Sequence, residues 1–186
     1  MDYSFPPPSF RPLLEEIASL LTSTSSTLCV AETTTGGLVS AALLSVPGAS
    51  KWYVGGATLY SGVSRKALAG WTDENFKDYK GPTTELVATL ATDIREKLGT
   101  TYCIGESGAT GPTVRGGIYV HSVAGRTCMA LASSNGGIAT KVINTGKTVR
   151  QENMILFAQE TLQFLRDVLA GDVKLEKNLD SGTAKF

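Results

Sequence analysis

Histidine occurs once in this chain, at His121, and cysteine three times, at Cys29, Cys103 and Cys128. The cysteines lie in apolar runs at wide spacing, without a paired-cysteine motif or a neighbouring histidine, so no zinc site and no metal cofactor is expected. They read as small buried hydrophobes. His121 follows the strand-like run Gly117-Ile118-Tyr119-Val120 and reads as an edge or core residue before it reads as a lone base. An excess of charge of one sign is also missing. Seventeen basic and 17 acidic side chains give a formal net charge of +0, so the surface as a whole supplies no field to gather nucleic acid or an anionic membrane, although a local basic site remains open. No apolar stretch approaches the length needed to span a bilayer. The start Met1-Asp2-Tyr3-Ser4-Phe5-Pro6-Pro7-Pro8 has neither the basic region nor the hydrophobic core of a secretion signal, and the expected compartment is the reducing cytoplasm.

What is present is 186 residues with 42% apolar content, enough for one well-packed domain. It is expected to run over residues 10–170, flanked by flexible termini at 1–9 and 171–186. Beyond Pro6-Pro7-Pro8, the residues Phe10, Leu13, Leu14, Ile17, Ala18, Leu20 and Leu21 recur at helical intervals and predict an amphipathic first helix. Leu28-Cys29-Val30-Ala31 reads as a short buried strand, and Leu38 to Leu44 as a compact helix stopped by Pro47-Gly48. Trp52 to Tyr60 is strand-like, with internal glycines that suggest a bulge or a close backbone approach. Ser64 to Leu68 reads as a short basic helix, while Trp71 to Tyr79 is polar and less regular. Thr83 or Thr84 can cap a helix that buries Leu86, Val87, Leu90, Ala91, Ile94 and Leu98. Tyr102 to Gly105 reads as a strand. Gly117 to Ala124 and Thr127 to Ala132 predict a hairpin about Gly125-Arg126, Lys141 to Asn144 an edge strand, and Val149 to Leu169 the longest helix. Strands alternating with helices, closed by a hairpin, favour an α/β fold, a three-layer α/β/α sandwich on a mixed central sheet.

Two glycine-rich turns follow strands in this pattern. In Glu32-Thr33-Thr34-Thr35-Gly36-Gly37 three hydroxyls and two glycines stand where a buried strand meets a helix. There the backbone can approach a ligand, and free N–H groups favour an anion such as phosphate; the plainer reading is a threonine cap with turn glycines. The second turn is Ser107-Gly108-Ala109-Thr110-Gly111-Pro112. Gly146-Lys147-Thr148 lacks the spacing of a nucleoside triphosphate loop.

Taken in order, Ala31-Glu32-Thr33-Thr34-Thr35-Gly36-Gly37, Val46-Pro47-Gly48-Ala49-Ser50, Tyr60-Ser61 and Ser107-Gly108-Ala109-Thr110-Gly111-Pro112 give a chain that resembles the nicotinamide-nucleotide amidase family. That family is also known as the carboxy-terminal domain of competence-damage-inducible protein A (CinA). The resemblance covers Leu13 to Leu165. It implies a homo-oligomeric hydrolase that removes the amide nitrogen of nicotinamide mononucleotide, giving nicotinic acid mononucleotide and ammonia, with a serine nucleophile, a lysine base and an assisting tyrosine. The tyrosine position carries Tyr60, which would orient a hydroxyl, relay a proton or gate the site. The serine position carries Thr33 and the lysine position Arg65.

Threonine is a nucleophile in principle but still needs activation, and a guanidinium stays protonated and cannot accept the proton. Lys66 is adjacent, and burial would favour its neutral form, but consecutive helix positions point about a hundred degrees apart. Three readings follow: an amidase working through Thr33 and Lys66, a catalytically impaired nucleotide-binding module, or a structural homologue without a ligand. Glu32 would anchor loops or hold positive neighbours; Thr34 would help place a proton. Thr35, Gly36 and Gly37 with Gly108, Ala109, Thr110 and Gly111 would cradle a carbonyl or phosphate, Arg115 would add charge, and Lys147 or Arg150 would hold a phosphate.

Overall fold

The computed structural model describes residues 5–77, 79–114 and 116–177. Arg115, named above for its charge, lies outside the described residues. The elements are α1 (Arg11–Ser23), β1 (Leu28–Glu32), α2 (Leu38–Leu44), β2 (Tyr53–Thr58), α3 (Gly62–Ala69), α4 (Asp73–Lys77), α5 (Thr84–Leu98), β3 (Tyr102–Ala109), β4 (Arg126–Ser133), β5 (Gly137–Asn144), α6 (Arg150–Ala170) and β6 (Glu176–Lys177). The strands form one sheet in the order β2-β1-β3-β4-β5-β6. Strands β2, β1 and β3 run parallel, and β4, β5 and β6 are antiparallel to their neighbours. The sheet is mixed, as expected, and helices cover both faces.

Alternation along the strands sorts the core into two halves. Leu28, Val30, Ile104, Met129 and Leu131 face α1, α2 and α6, where they meet Leu14, Ile17, Leu21, Val39, Leu43, Phe164 and Leu165. Cys29, Ala31, Cys103, Cys128, Ala130 and Ala132 face the other way, against Val87, Leu90, Ala91 and Ile94 of α5. All three cysteines are buried free thiols on this small-residue face, which lets α5 lie close to the sheet. Thr83 caps α5, its hydroxyl accepting from Leu86 N at 3.2 Å. The glycines of β2 accompany a register shift opposite Leu28 and Cys29, the irregularity their positions suggested.

Three expectations are corrected. Gly117–Ala124 is a run of turns, not a strand. Its Ile118 and Val120 are each 65% exposed, so their alternation has no core to face. The strand that pairs with β4 is β5, through Ser134-Asn135-Gly136. Strand β3 runs on through Ser107, Gly108 and Ala109, because β4 continues to pair with it as far as Ala109 opposite Arg126. The polar stretch after Trp71 contains the short helix α4. Past α6, Val173 and Leu175 pack against the core, and β6 pairs with β5.

Candidate functional site

Between β1 and β2 the chain packs α2 on one face of the sheet, and between β2 and β3 it packs α5 on the other. The connections therefore diverge at the carboxyl end of β1, the position where open α/β sheets form ligand crevices. A cleft of about 460 Å³ opens there, with Thr33, Thr34, Tyr60, Arg65, Ser107 and Arg150 in its wall together with Gly108, Ala109, Thr110 and Gly111. The structure thus brings together most of the residues singled out from the sequence.

The threonine loop rests on two carboxylates. Glu32 and Glu106 end the inward-facing series Leu28-Val30-Glu32 and Tyr102-Ile104-Glu106 on neighbouring strands, and both are buried. Glu32 accepts hydrogen bonds from Gly37 N at 2.9 Å, Val39 N at 3.1 Å and Ser40 N at 2.8 Å, and from Ser40 Oγ. The anion at the start of α2 is therefore Glu32 itself, not a ligand phosphate, and it offsets the positive end of the helix. Gly36 and Gly37 adopt φ of +67° and +104°, open to glycine without the strain a side chain would bring, and so turn the chain back over Glu32. Glu32, Thr35, Gly36 and Gly37 lie beneath the cleft and do not line it.

Glu106 holds the other side of the loop. One of its oxygens accepts from Thr33 N at 2.9 Å and Thr35 N at 2.8 Å, and the other from Thr34 Oγ1 at 2.8 Å. Burial pushes its carboxyl above the usual carboxylate range, against the pull of these donors. Thr35 Oγ1 sits 2.7 Å from Glu32 and 2.8 Å from Glu106. A hydroxyl has one proton to give, so both contacts are favourable when one carboxyl is protonated, and burial favours Glu106 in that role. The sequence reading passed over Glu106. Its signal was a lone charge inside an otherwise apolar strand, where a buried carboxylate needs donors.

Thr33, at the position where the resemblance implies a serine, donates its hydroxyl to Ser107 Oγ at 3.0 Å. Ser107 is a hydroxyl and no base. Arg65 is 5% exposed. Its Nε donates to Leu59 O at 3.1 Å, and its guanidinium carbon lies 5.0 Å from the Trp71 ring and 5.3 Å from that of Tyr79. No carboxylate among the described residues pairs with it. Lys66 points away from the cleft, its ammonium bonded to Asp73 and resting 5.5 Å from the Phe76 ring. The turn of about a hundred degrees between consecutive helix residues puts one inside and the other outside.

At the rim, Tyr60 is 59% exposed and its OH accepts from Arg150 Nη2 at 3.2 Å. Arg150 lines the cleft, whereas Lys147 turns outward to Glu152 at 2.7 Å. The second loop is fixed by Asn153, another residue the sequence reading missed. Its amide donates to Thr110 O at 2.9 Å and to Lys147 O at 3.0 Å, while its carbonyl accepts from Thr145 Oγ1 at 2.6 Å. A buried asparagine early in a long helix was the available signal. Gly108 is required by close approach, since a Cβ there would stand 2.6 Å from Arg126 O. The hydroxyl of Thr110 is buried without a partner among the described residues.

The described wall contains two charged side chains, Arg65 and Arg150, and no carboxylate, lysine or histidine. Among the described residues, no group of three or more His, Cys, Asp or Glu side chains is placed to hold a metal ion, and no helix is long and apolar enough to cross a membrane.

Solved structures share this fold. A competence or damage-inducible protein from Enterobacter asburiae superposes with a TM-score of 0.76 at 25% identity, covering 84% of this chain and 96% of that one. The competence/damage inducible protein CihA from Agrobacterium tumefaciens gives 0.80 at 20% identity, over 90% and 99% of the two chains. In sequence, a CinA-like protein of Myxococcus xanthus is 31% identical over 154 residues, 82% of this chain and 35% of that protein. One of Amoebophilus asiaticus is 33% identical over 157 residues, 84% of this chain and 36% of that protein. The chain thus spans about a third of the length of these relatives. The sequence pattern of the CinA C-terminal domain matches residues 11–169, and with the fold and the sequence agreeing, the chain belongs to the CinA C-terminal domain family.

Proposed function

We propose that the cleft binds a small phosphate-bearing nucleotide of the nicotinamide mononucleotide class and does not hydrolyse its amide through Thr33. The observation that carries this reading is the charge of the described wall: among the described residues, two arginines, no acid, and no group that takes up a proton at neutral pH. An arginine without an internal counter-ion is costly to bury, and an anionic ligand offsets that cost. Four aromatic side chains in the wall, Tyr60, Phe76, Tyr79 and Tyr119, offer flat apolar surface to a planar base, and the volume is within the usual range for small-ligand sites.

Amide hydrolysis needs a base within reach of the attacking hydroxyl. Thr33 donates to Ser107, Lys66 is engaged by Asp73 outside the cleft, and Arg65 cannot accept a proton. Glu106 is the nearest carboxyl, but it stands behind Thr34 with donors on both oxygens. The test is an equilibrium titration with nicotinamide mononucleotide alongside an assay for released ammonia. Saturable binding without ammonia supports the reading. Ammonia release that disappears in Thr33→Ala would replace it with the hydrolase reading, and absence of binding by folded protein would leave a structural role.

A further inference from the structure

Part of the Arg65 guanidinium is already committed. Its Nε is tied to Leu59 O at 3.1 Å, and the rings of Trp71 and Tyr79 have their centroids 5.0 and 5.3 Å from its central carbon. The two terminal nitrogens are different. They bond to no group of the described chain, and Arg65 lines the cleft. Its backbone is part of α3, whose start is set by a reciprocal cap between Ser61 and Ser64, so the side chain leaves a rigid element. The result is a planar cation held in one orientation, with a two-pronged donor edge available to the cleft.

A fork of parallel N–H donors fits an acid group with two equivalent oxygens and binds it with charge-assisted bonds. A carboxamide fits badly. One of its two heteroatoms accepts, but the other is an NH2 that would face a second donor, and the group carries no charge to set against the cation. At this position a lysine would offer a single point charge, indifferent to this distinction. Arg150, which donates to Tyr60 OH and lines the same cleft, provides a second cation for a second anionic group.

We propose that Arg65 is a specificity-determining residue that makes the cleft select a nucleotide bearing an aromatic carboxylate, together with its phosphate, over the corresponding carboxamide. This rests on the nucleotide-binding reading above and sharpens it: the preferred ligand is the acid, nicotinic acid mononucleotide, and the amide is the weaker one.

The experiment is calorimetric titration of the purified chain with nicotinic acid mononucleotide and, separately, nicotinamide mononucleotide at the same ionic strength and neutral pH. The acid is expected to bind tighter by about tenfold or more, the usual worth of a charge-assisted bond over a neutral one. Arg65→Met, which keeps an apolar stem beside the aromatic rings, should lower affinity for the acid and leave the amide within a few-fold of the parent, closing the gap. Arg65→Lys, which keeps the charge and loses the fork, should narrow the gap and still bind both. Equal affinities in the parent chain, or tighter binding of the amide, overturn the selectivity while leaving nucleotide binding intact. Failure of both nucleotides to bind folded parent protein overturns the nucleotide-binding reading, and the selectivity with it.

Discussion

Glu32 and Glu106 are buried carboxyls whose oxygens meet backbone N–H groups and hydroxyls of their own chain, whereas Arg65, a buried cation in the same region, meets one carbonyl and two aromatic rings and keeps its terminal donors free of partners among the described residues. The two arrangements do different work. A buried carboxyl surrounded by its own donors fixes local structure, here the turn from β1 into α2, and its removal strands those donors. A buried charge left with a free edge on a cleft contributes little to folding, and its donors stay available to a group from outside. On the proposed reading, the glutamates serve the fold and the arginine the ligand.

The sharpest way to break this contrast is to delete one member of each kind and compare stability. Glu106→Ala leaves Thr33 N, Thr35 N and the Thr34 hydroxyl without their acceptor, at about 1–3 kcal/mol for each group left unsatisfied. Urea denaturation should therefore show a loss of about 3 kcal/mol or more. Arg65→Met should stay within about 1 kcal/mol of the parent or exceed it, since replacing a buried charge by an apolar side chain is often neutral or stabilising. Equal losses would put Arg65 with the fold and defeat the contrast.

Arg150→Ala sharpens the ligand side. Arg150 shares its donors with Tyr60 OH and Gly111 O, so its loss should weaken nucleotide binding by about tenfold, in line with about 1.5 kcal/mol for a bond to a charged group. Lys66→Ala should leave titration curves unchanged, because Lys66 is engaged with Asp73 outside the cleft. A large effect of Lys66→Ala would restore it as a site residue.

The smallest expected effect concerns pH. Burial raises the carboxyls of Glu106 and Asp93, the latter to about 6 from 3.8. A carboxyl whose folded pKa is raised binds its proton more tightly in the folded state. Its contribution to stability is full below the unfolded value and is lost as pH rises through the folded one. For Asp93 the window runs from about 3.8 to about 6. Melting temperatures between pH 4 and pH 7 should therefore favour Asp93→Asn progressively over the parent, and Glu106→Gln should follow the same sign beginning near the ordinary carboxylate value. Because Asp93 is partly solvated, its effect should be the smaller. An opposite slope would mean that the hydrogen bonds to Glu106 outweigh its burial.

Much of this molecule was legible in the sequence where pattern and burial agree. The periodicity of Leu13 to Leu21 and of Leu86 to Leu98 marked α1 and α5, and Leu28 to Ala31 with the threonine-glycine turn marked the β1–α2 junction. Gly117 to Ala124 shows the limit, since alternating apolar residues make a strand only when a sheet edge is free to take them. The edge of β3 is occupied by Arg126 to Ser133. In the site, Thr33, Tyr60, Arg65 and Arg150 were nameable from the motifs, and the structure places all four at the cleft. The direction of Lys66, the occupation of the α2 start by Glu32, and the roles of Glu106 and Asn153 depend on contacts between residues distant in sequence. Glu106 reaches back to Thr33 across 73 positions, and no local spacing records that distance.

The most direct test of the account is calorimetric titration of parent protein and Arg65→Met with nicotinic acid mononucleotide. The account predicts saturable binding by the parent and at least tenfold weaker binding by a variant that remains as stable. Equal affinities, or a variant that loses its fold along with its ligand, would contradict the claim that the charge on Arg65 is kept for the ligand.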